Sequence, residues 1–202
     1  MLAAVEAVAG RAASDADRTS FTGATDSWIA GELLRRAGHP GDRAGVERVH
    51  ARYLELLAEG TKTHGCAALP GALALGEALA QAFADGRCRE PYLLTGNLRE
   101  GARHKLASAG LARVFRCEGA FGDRHDDRID VAREAVALAP DARHVIIGDA
   151  PADLRAARAI GARCVLVATG PVPASELARL EPDALLESLV DVERAMEALL
   201  GP

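Results

Sequence analysis

The segment from His144 to Gly170 constrains the fold of this chain more than any other. It reads H-V-I-I-G-D-A-P-A-D-L-R-A-A-R-A-I-G-A-R-C-V-L-V-A-T-G. A short apolar run at 145–147 stops at Gly148, a helix-like segment begins at Pro151, and a second apolar run covers 164–168. This order predicts a strand–helix–strand unit of the kind that builds buried parallel sheets.

Two acidic residues follow the first strand of this unit. Asp149 lies at the predicted carboxyl end of the strand, and Asp153 comes four residues later, after a tight turn. Open α/β sheets bind their ligands at that edge, and Mg²⁺ takes one or two protein carboxylates while it keeps several waters. Both residues are therefore candidate metal ligands. The alternative is that Asp149 caps the following helix and Asp153 complements its dipole.

The composition limits the classes of function. With 202 residues, 49% of them hydrophobic, the chain can bury the core of one domain with an insertion, or of two small domains. A net charge of -5 and only 3% aromatic residues argue against a nucleic-acid partner. No apolar run approaches the ~20 residues of a membrane span. Widely spaced cysteines without a C-x-x-C motif, and no basic leader at the start, predict a cytoplasmic protein.

The organisation of the chain changes near residue 65. The first third is predicted to be helical, and the segment G-T-K-T-H-G-C-A-A-L-P-G at 60–71 is punctuated by Gly and Pro. Strands and helices alternate after it, which predicts an α/β fold with a parallel sheet. The predicted helices cover 1–9, 27–37, 43–59, 72–84, 98–109, 126–139 and the chain end, and strands are predicted at 92–94, 114–115 and 184–186 in addition to the two above.

A second candidate site lies one strand unit earlier, at Thr95, Gly96 and Asn97. A strand ends there in a hydroxyl, a glycine allows close approach of a ligand, and a helix begins whose free N–H groups favour an anion. These residues outline a phosphate cradle. The alternative is a simple helix cap, in which Asn97 is the cap and Glu100 completes a capping box.

Taken in this order, the motifs resemble those of the haloacid dehalogenase superfamily, in its capped, phosphoglycolate-phosphatase-like class. The fourth motif of that family is a strand ending in G-D-x-x-x-D, matched by Asp149 and Asp153, and the second is a strand ending in Thr or Ser, matched by Thr95. The resemblance implies an α-helical cap at 1–65 and a Rossmann-like core at 66–202. It also implies a Mg²⁺-dependent phosphatase of small phosphorylated metabolites that acts through an aspartyl-phosphate intermediate.

Such an enzyme needs a cation that neutralises the phosphoryl group. The chain has two lysines, Lys62 and Lys105, among 24 basic residues, so a retained Lys105 is a candidate. The resemblance instead implies a cation at the start of the helix before the metal strand, where Arg124 and Arg128 lie. The sequence leaves these three candidates open.

The first motif of the family, D-x-D-x-T, supplies the nucleophile and is the missing part of the resemblance. Its letters occur at Asp15 to Thr19, but the preceding R-A-A-S is not an apolar strand, so we interpret them as a chance match. We therefore expect the true motif upstream of Met1, and we expect the first, central strand of the core to be missing from this chain. Two alternatives are a non-catalytic protein that binds phosphate or metal, and a catalytic role for Asp15 and Asp17 after all.

Overall fold

The computed structural model describes residues 1–13 and 21–201 and confirms the predicted α/β architecture. The letters D-x-D-x-T at 15–19 lie outside the described residues. None of the helices in the described ranges is both long and apolar enough to cross a membrane. In chain order the elements are α1 Leu2–Ala9, α2 Asp26–Arg36, α3 Arg43–His64, α4 Ala72–Ala84, β1 Leu93–Thr95, α5 Arg99–Ser108, β2 Gly119–Phe121, α6 Arg128–Leu138, β3 Val145–Gly148, α7 Pro151–Ala159, β4 Arg163–Val167, α8 Ala174–Ala178, β5 Ala184–Leu186 and α9 Val192–Leu200.

The first three helices pack around an apolar cluster of their own. Val5 of α1, Leu33 and Leu34 of α2, and Val49 of α3 are buried at its centre. Helix α2 begins where the Thr25 hydroxyl accepts a hydrogen bond from the Trp28 amide, as expected of an N-cap residue. The predicted helical character of this third of the chain agrees with the structure in the described residues.

Helix α3 is longer than predicted and contacts both parts of the chain. It ends at His64 instead of near residue 59. Its second half packs on α5, where Gly101 leaves room for Leu54 and Leu57. At the end of this contact the Ser108 hydroxyl donates a hydrogen bond to the Thr61 carbonyl at 3.3 Å and accepts one from the Cys66 amide at 2.9 Å. The cap–core boundary at residue 65 therefore stays a prediction, since α3 packs on both sides of it.

The five strands of the described ranges form two separate parallel sheets. Strand β1 pairs with β2, with Leu93 opposite Gly119, and β3, β4 and β5 pair in that order. The predicted strand at 114–115 is wrong, because Val114 and Phe115 lie in a turn and pack closely against Gly76 of α4. The second strand is instead the Gly119–Phe121 segment, which a strand pattern does not single out because Gly and Ala are poor strand formers.

An apolar cleft of about 350 Å³ lies between the two sheets. Its walls include Leu93 and Leu94 of β1, and Val145, Ile146 and Ile147 of β3. Ile147 is 39% exposed, although it sits in the middle of a strand. Within the described residues no strand pairing joins β1 to β3, so each strand presents an edge to this cleft.

Helices cover both faces of the β3–β4–β5 sheet. On one face Leu154 of α7 packs against Ile146, Cys164 and Leu166, and on the other Leu75 of α4 and Leu199 of α9 belong to a second cluster with β4 and β5. All strands run parallel within each sheet. The carboxyl ends of β1 and β3, with the loops that follow them, carry Thr95, Gly96, Asn97 and Asp149.

Candidate active site

Asp153 holds the turn between β3 and α7. One oxygen of its carboxylate, Oδ2, accepts hydrogen bonds from the amides of Asp149 and Ala150, both at 3.1 Å. The other oxygen, Oδ1, accepts one from Arg128 at 2.7 Å. Gly148 is required beside it, because a Cβ there would lie 2.2 Å from Asp153 Oδ2. Both oxygens of Asp153 are therefore engaged within the protein.

Asp149 is the carboxylate that remains available to a cation. Its side chain is half-buried, and burial, followed by repulsion from Asp153, raises the pKa of its carboxyl above the ordinary value. Of the residues that the structure describes, none donates a side-chain hydrogen bond to it. A Cβ at Gly170 would lie 2.3 Å from its Oδ2, so the next loop passes very close to this carboxylate.

The donor set fits Mg²⁺ in part. Asp149 offers one carboxylate oriented by a turn that Asp153 maintains, and Mg²⁺ in proteins often has only one or two carboxylate ligands. In residues 1–13 and 21–201 no group of three or more His, Cys, Asp or Glu side chains converges as a metal cage. The geometry leaves the Asp149 carboxylate without a side-chain hydrogen bond in the described residues, while Asp153 supports its turn. The roles of both residues as metal ligands remain predictions.

Arg128 links the two sheets at their carboxyl ends. Its Nη2 donates to Asp153 Oδ1 at 2.7 Å and also to the carbonyl oxygen of Leu94 at 3.3 Å. Leu94 precedes Thr95 in β1, whereas Asp153 follows β3, so one guanidinium nitrogen contacts both motifs. The Nε of Arg128 is buried and has no hydrogen-bond partner among the residues that the structure describes. The structure thus brings this positive charge to the point where the two candidate sites meet.

The other two candidate cations lie elsewhere. Arg124 is exposed in the loop between β2 and α6. Lys105 lies on α5 and donates a hydrogen bond to Asn97 Oδ1 at 2.5 Å. Of the three cations that the sequence left open, only Arg128 contacts the residues of the metal motif. The catalytic roles of all three remain predictions.

Thr95, Gly96 and Asn97 form a compact turn at the end of β1. The Thr95 hydroxyl accepts hydrogen bonds from the Asn97 backbone amide at 3.2 Å and from Asn97 Nδ2 at 2.7 Å. The simple-cap alternative for Asn97 is wrong, because the N-cap of α5 is Leu98 and Glu100 pairs with Arg103 instead. The side chain of Asn97 serves the turn and not the helix.

Two aspartate carboxylates accept hydrogen bonds from the backbone amides at the start of α5. Asp26 Oδ2 accepts a hydrogen bond from the Leu98 amide, and Asp123 Oδ2 accepts one from the Arg99 amide, both at 2.9 Å. Burial raises the pKa of the Asp26 carboxyl, although the Leu98 amide and the charge of Lys105 oppose the shift. Sequence reasoning missed both aspartates. The signal was indirect: the N-cap residue of α5 is Leu98, whose side chain cannot accept a hydrogen bond from the first amides of the helix.

The loop before α2 and the first residues of α2 contact the backbone of the candidate site. The Asp26 amide donates to the Gly96 carbonyl at 2.7 Å, and the Ser27 hydroxyl donates to the Gly122 carbonyl at 2.5 Å. A Cβ at Gly96 would lie 2.6 Å from the Ala24 carbonyl oxygen. The N-terminal helical part is therefore in backbone contact with the motif that follows β1.

Comparisons with known proteins support the family assignment. A family model described as HAD-hydrolase-like matches residues 122–192. The segment includes Arg128, Asp149 and Asp153. No curated protein has a significant sequence match to this chain.

Solved structures share the fold at low sequence identity. A hydrolase from Pseudomonas syringae superposes with a TM-score of 0.70 at 19% identity, over 97% of this chain and 90% of its own. A HAD hydrolase of family IA, variant 3, from Entamoeba histolytica gives 0.64 at 12% identity, over 96% and 89%. CbbY from Rhodobacter sphaeroides, solved in complex with phosphate, gives 0.66 at 22% identity, over 93% and 85%. Residues 122–192 are therefore similar in sequence to the HAD-hydrolase-like family, and the chain shares its fold with these solved structures over nearly its whole length.

Proposed function

We propose that this protein is a Mg²⁺-dependent phosphatase of small phosphorylated metabolites, acting through an aspartyl-phosphate intermediate. The observation that carries the proposal is the double contact of Arg128, whose Nη2 lies 3.3 Å from the Leu94 carbonyl and 2.7 Å from Asp153. A positive charge between a hydroxyl-terminated strand and a carboxylate-terminated strand is suited to a phosphoryl group that approaches a carboxylate.

The residues of this chain would divide the binding of the phosphoryl group among them. The Thr95 hydroxyl and the Gly96 and Asn97 region would hold its oxygens, and Arg128 would neutralise part of its charge. Asp149 would hold Mg²⁺, with its backbone oriented by Asp153. The metal would supply charge neutralisation at the phosphoryl oxygens. The raised pKa of Asp149 reflects burial and a neighbouring acid, a setting in which a bound cation favours the ionised form.

The nucleophile would come from a strand in the cleft between β1 and β3. Within the described residues β1 and β3 are not paired with one another, and the walls of the cleft are mostly apolar. Arg128 contacts Leu94, which is one of the residues that line it. We propose that a longer polypeptide carries this strand upstream of Met1. An aspartate oxygen at its end would attack phosphorus as the bond to the leaving oxygen breaks and that oxygen takes a proton; water would then hydrolyse the acyl phosphate.

The helices before residue 65 would act as a cap that excludes water and contacts the leaving group. The backbone contact between Asp26 and Gly96, at 2.7 Å, supports a cap that closes directly over the phosphate turn. The cysteine pattern supports a reducing, cytoplasmic compartment. These points are parts of the same proposal.

The test is an activity assay on the longer polypeptide. The DNA upstream of the Met1 codon is sequenced first, and an in-frame apolar strand followed by D-x-D-x-T identifies the chain to be expressed. We expect Mg²⁺-dependent hydrolysis of p-nitrophenyl phosphate, reduced at least ~100-fold by Asp149→Asn. Asp141→Asn, at an exposed position before β3, is the matched control. Undiminished turnover by Asp149→Asn contradicts the proposal.

A second candidate is a non-catalytic phosphate- or metal-binding protein. The engagement of both Asp153 oxygens in the fold favours it, because that carboxylate already has a structural role. It predicts that the 202-residue chain binds Mg²⁺ or inorganic phosphate in a calorimeter without turnover of any phosphomonoester, and that an upstream stop codon precedes Met1.

A further inference from the structure

We infer that Lys105 is a positioning residue, which orients the Asn97 side chain and through it sets the Thr95 hydroxyl as a hydrogen-bond donor. The inference rests on the proposed function in one respect, namely that Thr95 binds a phosphoryl oxygen. It gives Lys105 a different task from the neutralisation of phosphate. The supporting geometry is a chain of contacts from Lys105 to Asn97 to Thr95.

The first contact fixes the orientation of the Asn97 amide. Lys105 Nζ lies 2.5 Å from Asn97 Oδ1. An ammonium group has three donors and no acceptor, so only the oxygen of the amide can face it. The NH₂ of Asn97 must therefore face the other way, towards Thr95. The two ends of an asparagine amide are otherwise hard to tell apart. Here the ammonium group of Lys105 decides which end is the oxygen.

The second contact fixes the direction of the Thr95 proton. Thr95 Oγ1 accepts hydrogen bonds from Asn97 Nδ2 at 2.7 Å and from the Asn97 amide at 3.2 Å. A hydroxyl has two acceptor lone pairs and one proton. With both lone pairs engaged, the hydroxyl can make its remaining bond only as a donor. A phosphoryl oxygen, which only accepts, is the partner that such a hydroxyl suits.

Asp26 connects the same lysine to the N-terminal helices. Its carboxylate accepts the Leu98 amide at 2.9 Å, and the charge of Lys105 lowers the pKa of Asp26 against the larger effect of burial. Asp26 begins α2, whereas Lys105 lies on α5. Of the basic groups that act on the Asp26 carboxylate by charge, Lys105 has the largest effect, so the residue that orients Asn97 also acts on the first residue of α2.

A double-mutant cycle separates positioning from direct charge neutralisation. Binding of inorganic phosphate to the 202-residue protein is measured by titration calorimetry for Lys105→Met, Asn97→Ala and the double variant. We expect each single variant to weaken binding about 5- to 10-fold, as for loss of one hydrogen bond. The double variant should bind no more weakly than Asn97→Ala, because the effect of Lys105 on the Thr95 hydroxyl passes through Asn97. Additive losses would overturn the inference.

Lys62 provides the matched control. It is an exposed lysine in the last turn of α3, so Lys62→Met removes the same charge from the protein without touching Asn97. We expect it to bind phosphate as the unmodified protein does. A loss equal to that of Lys105→Met would show a general charge effect and would count against positioning.

A second measurement keeps the inference testable if inorganic phosphate does not bind to the 202-residue protein, because it reports the orientation of Asn97 without a bound ligand. The side-chain NH₂ signals of Asn97 are followed by ¹H–¹⁵N NMR. We expect them to be resolved and slow to exchange in the unmodified protein and in Lys62→Met, and to collapse towards free-asparagine positions in Lys105→Met. Unchanged Asn97 signals in a folded Lys105→Met protein would overturn the inference.

Discussion

Arg128 and Asp153 form an ion pair at 2.7 Å that is nearly closed to solvent, with side chains 17% and 3% exposed. Each member also makes hydrogen bonds to the backbone. Arg128 donates one to the Leu94 carbonyl oxygen, and Asp153 accepts two from the amides of Asp149 and Ala150. The pair therefore joins the end of β1 to the turn after β3. Its removal should affect both the stability of the protein and the geometry of the candidate site.

Asp153→Ala should lower the free energy of unfolding by about 3–5 kcal/mol, because it leaves a buried guanidinium and two turn amides without their acceptor. Urea denaturation followed by circular dichroism measures the change. The control is Asp130→Ala, which breaks an exposed pair with Arg133, whose side chains are 48% and 65% exposed; we expect about 0–1 kcal/mol for it. Equal effects of the two variants would contradict a structural role for the buried pair.

Mg²⁺ should raise the thermal stability of the 202-residue chain through Asp149. A ligand at ten times its dissociation constant stabilises the folded state by about 1.4 kcal/mol, which is a rise of a few degrees in the melting temperature. Asp149→Asn should abolish the rise, EDTA should reverse it, and Asp141→Asn should retain it. A full Mg²⁺ effect in Asp149→Asn would place the cation somewhere else.

Gly96→Ala should displace the loop before α2 from the phosphate turn. The new Cβ would lie 2.6 Å from the Ala24 carbonyl oxygen and 3.0 Å from the Thr25 Cα, both of them backbone atoms. We expect a loss of about 1–3 kcal/mol in the free energy of unfolding. Gly60→Ala, inside α3 with nothing within 4 Å of its Cβ position, should instead stabilise by up to about 1 kcal/mol. Chemical denaturation of both variants checks the opposite signs.

His50 should make the protein less stable in mild acid. Burial lowers the pKa of its imidazole from the ordinary 6.5, although Asp26, Asp123 and Glu47 oppose the shift. Between the folded and unfolded pKa values the unfolded chain binds the extra proton, so the contribution to stability is present above pH 6.5 and is lost as the pH falls below it. The slope is at most about 1.4 kcal/mol per pH unit.

The measurement for His50 is the free energy of unfolding between pH 7.5 and 5, as an experimental range of about two and a half units around the ordinary histidine pKa. His50→Gln should flatten the fall in stability below the ordinary pKa of 6.5. His64→Gln, at an exposed position at the end of α3, should leave the profile unchanged. A His50→Gln profile that matches the unmodified protein would mean that its imidazole titrates normally.

The local pattern of the sequence was sufficient to predict the strand–helix–strand unit of β3, α7 and β4. An apolar run ended by Gly148, a proline at the first helical position and a glycine after the helix each restrict the backbone locally, and the observed α7 begins at Pro151 as predicted. The same local logic located Thr95 at the end of β1 and Asp149 after β3. It also gave the helices of the first third, except that α3 continues to His64.

Strand β2 shows where local pattern fails. Val114 and Phe115 have the higher strand propensity, yet they pack on Gly76, while Gly119 and Ala120 pair with β1. A Cβ at Gly119 would lie 2.0 Å from the Leu93 carbonyl oxygen. The neighbouring strand, and not the propensity of the segment, decides that this segment is extended.

The sequence by itself determined the fold class, the β3–α7–β4 unit and the two motifs at strand ends, because these depend on periodicity and on backbone restrictions within a few residues. Only the tertiary structure decided which cation meets Asp153 and which carboxylate meets the Leu98 amide. Arg124 and Arg128 have the same charge and nearly the same place in the chain, and Asp26 lies 72 residues from Leu98. Such pairings depend on how helices and sheets pack, which sets the distances between side chains far apart in sequence.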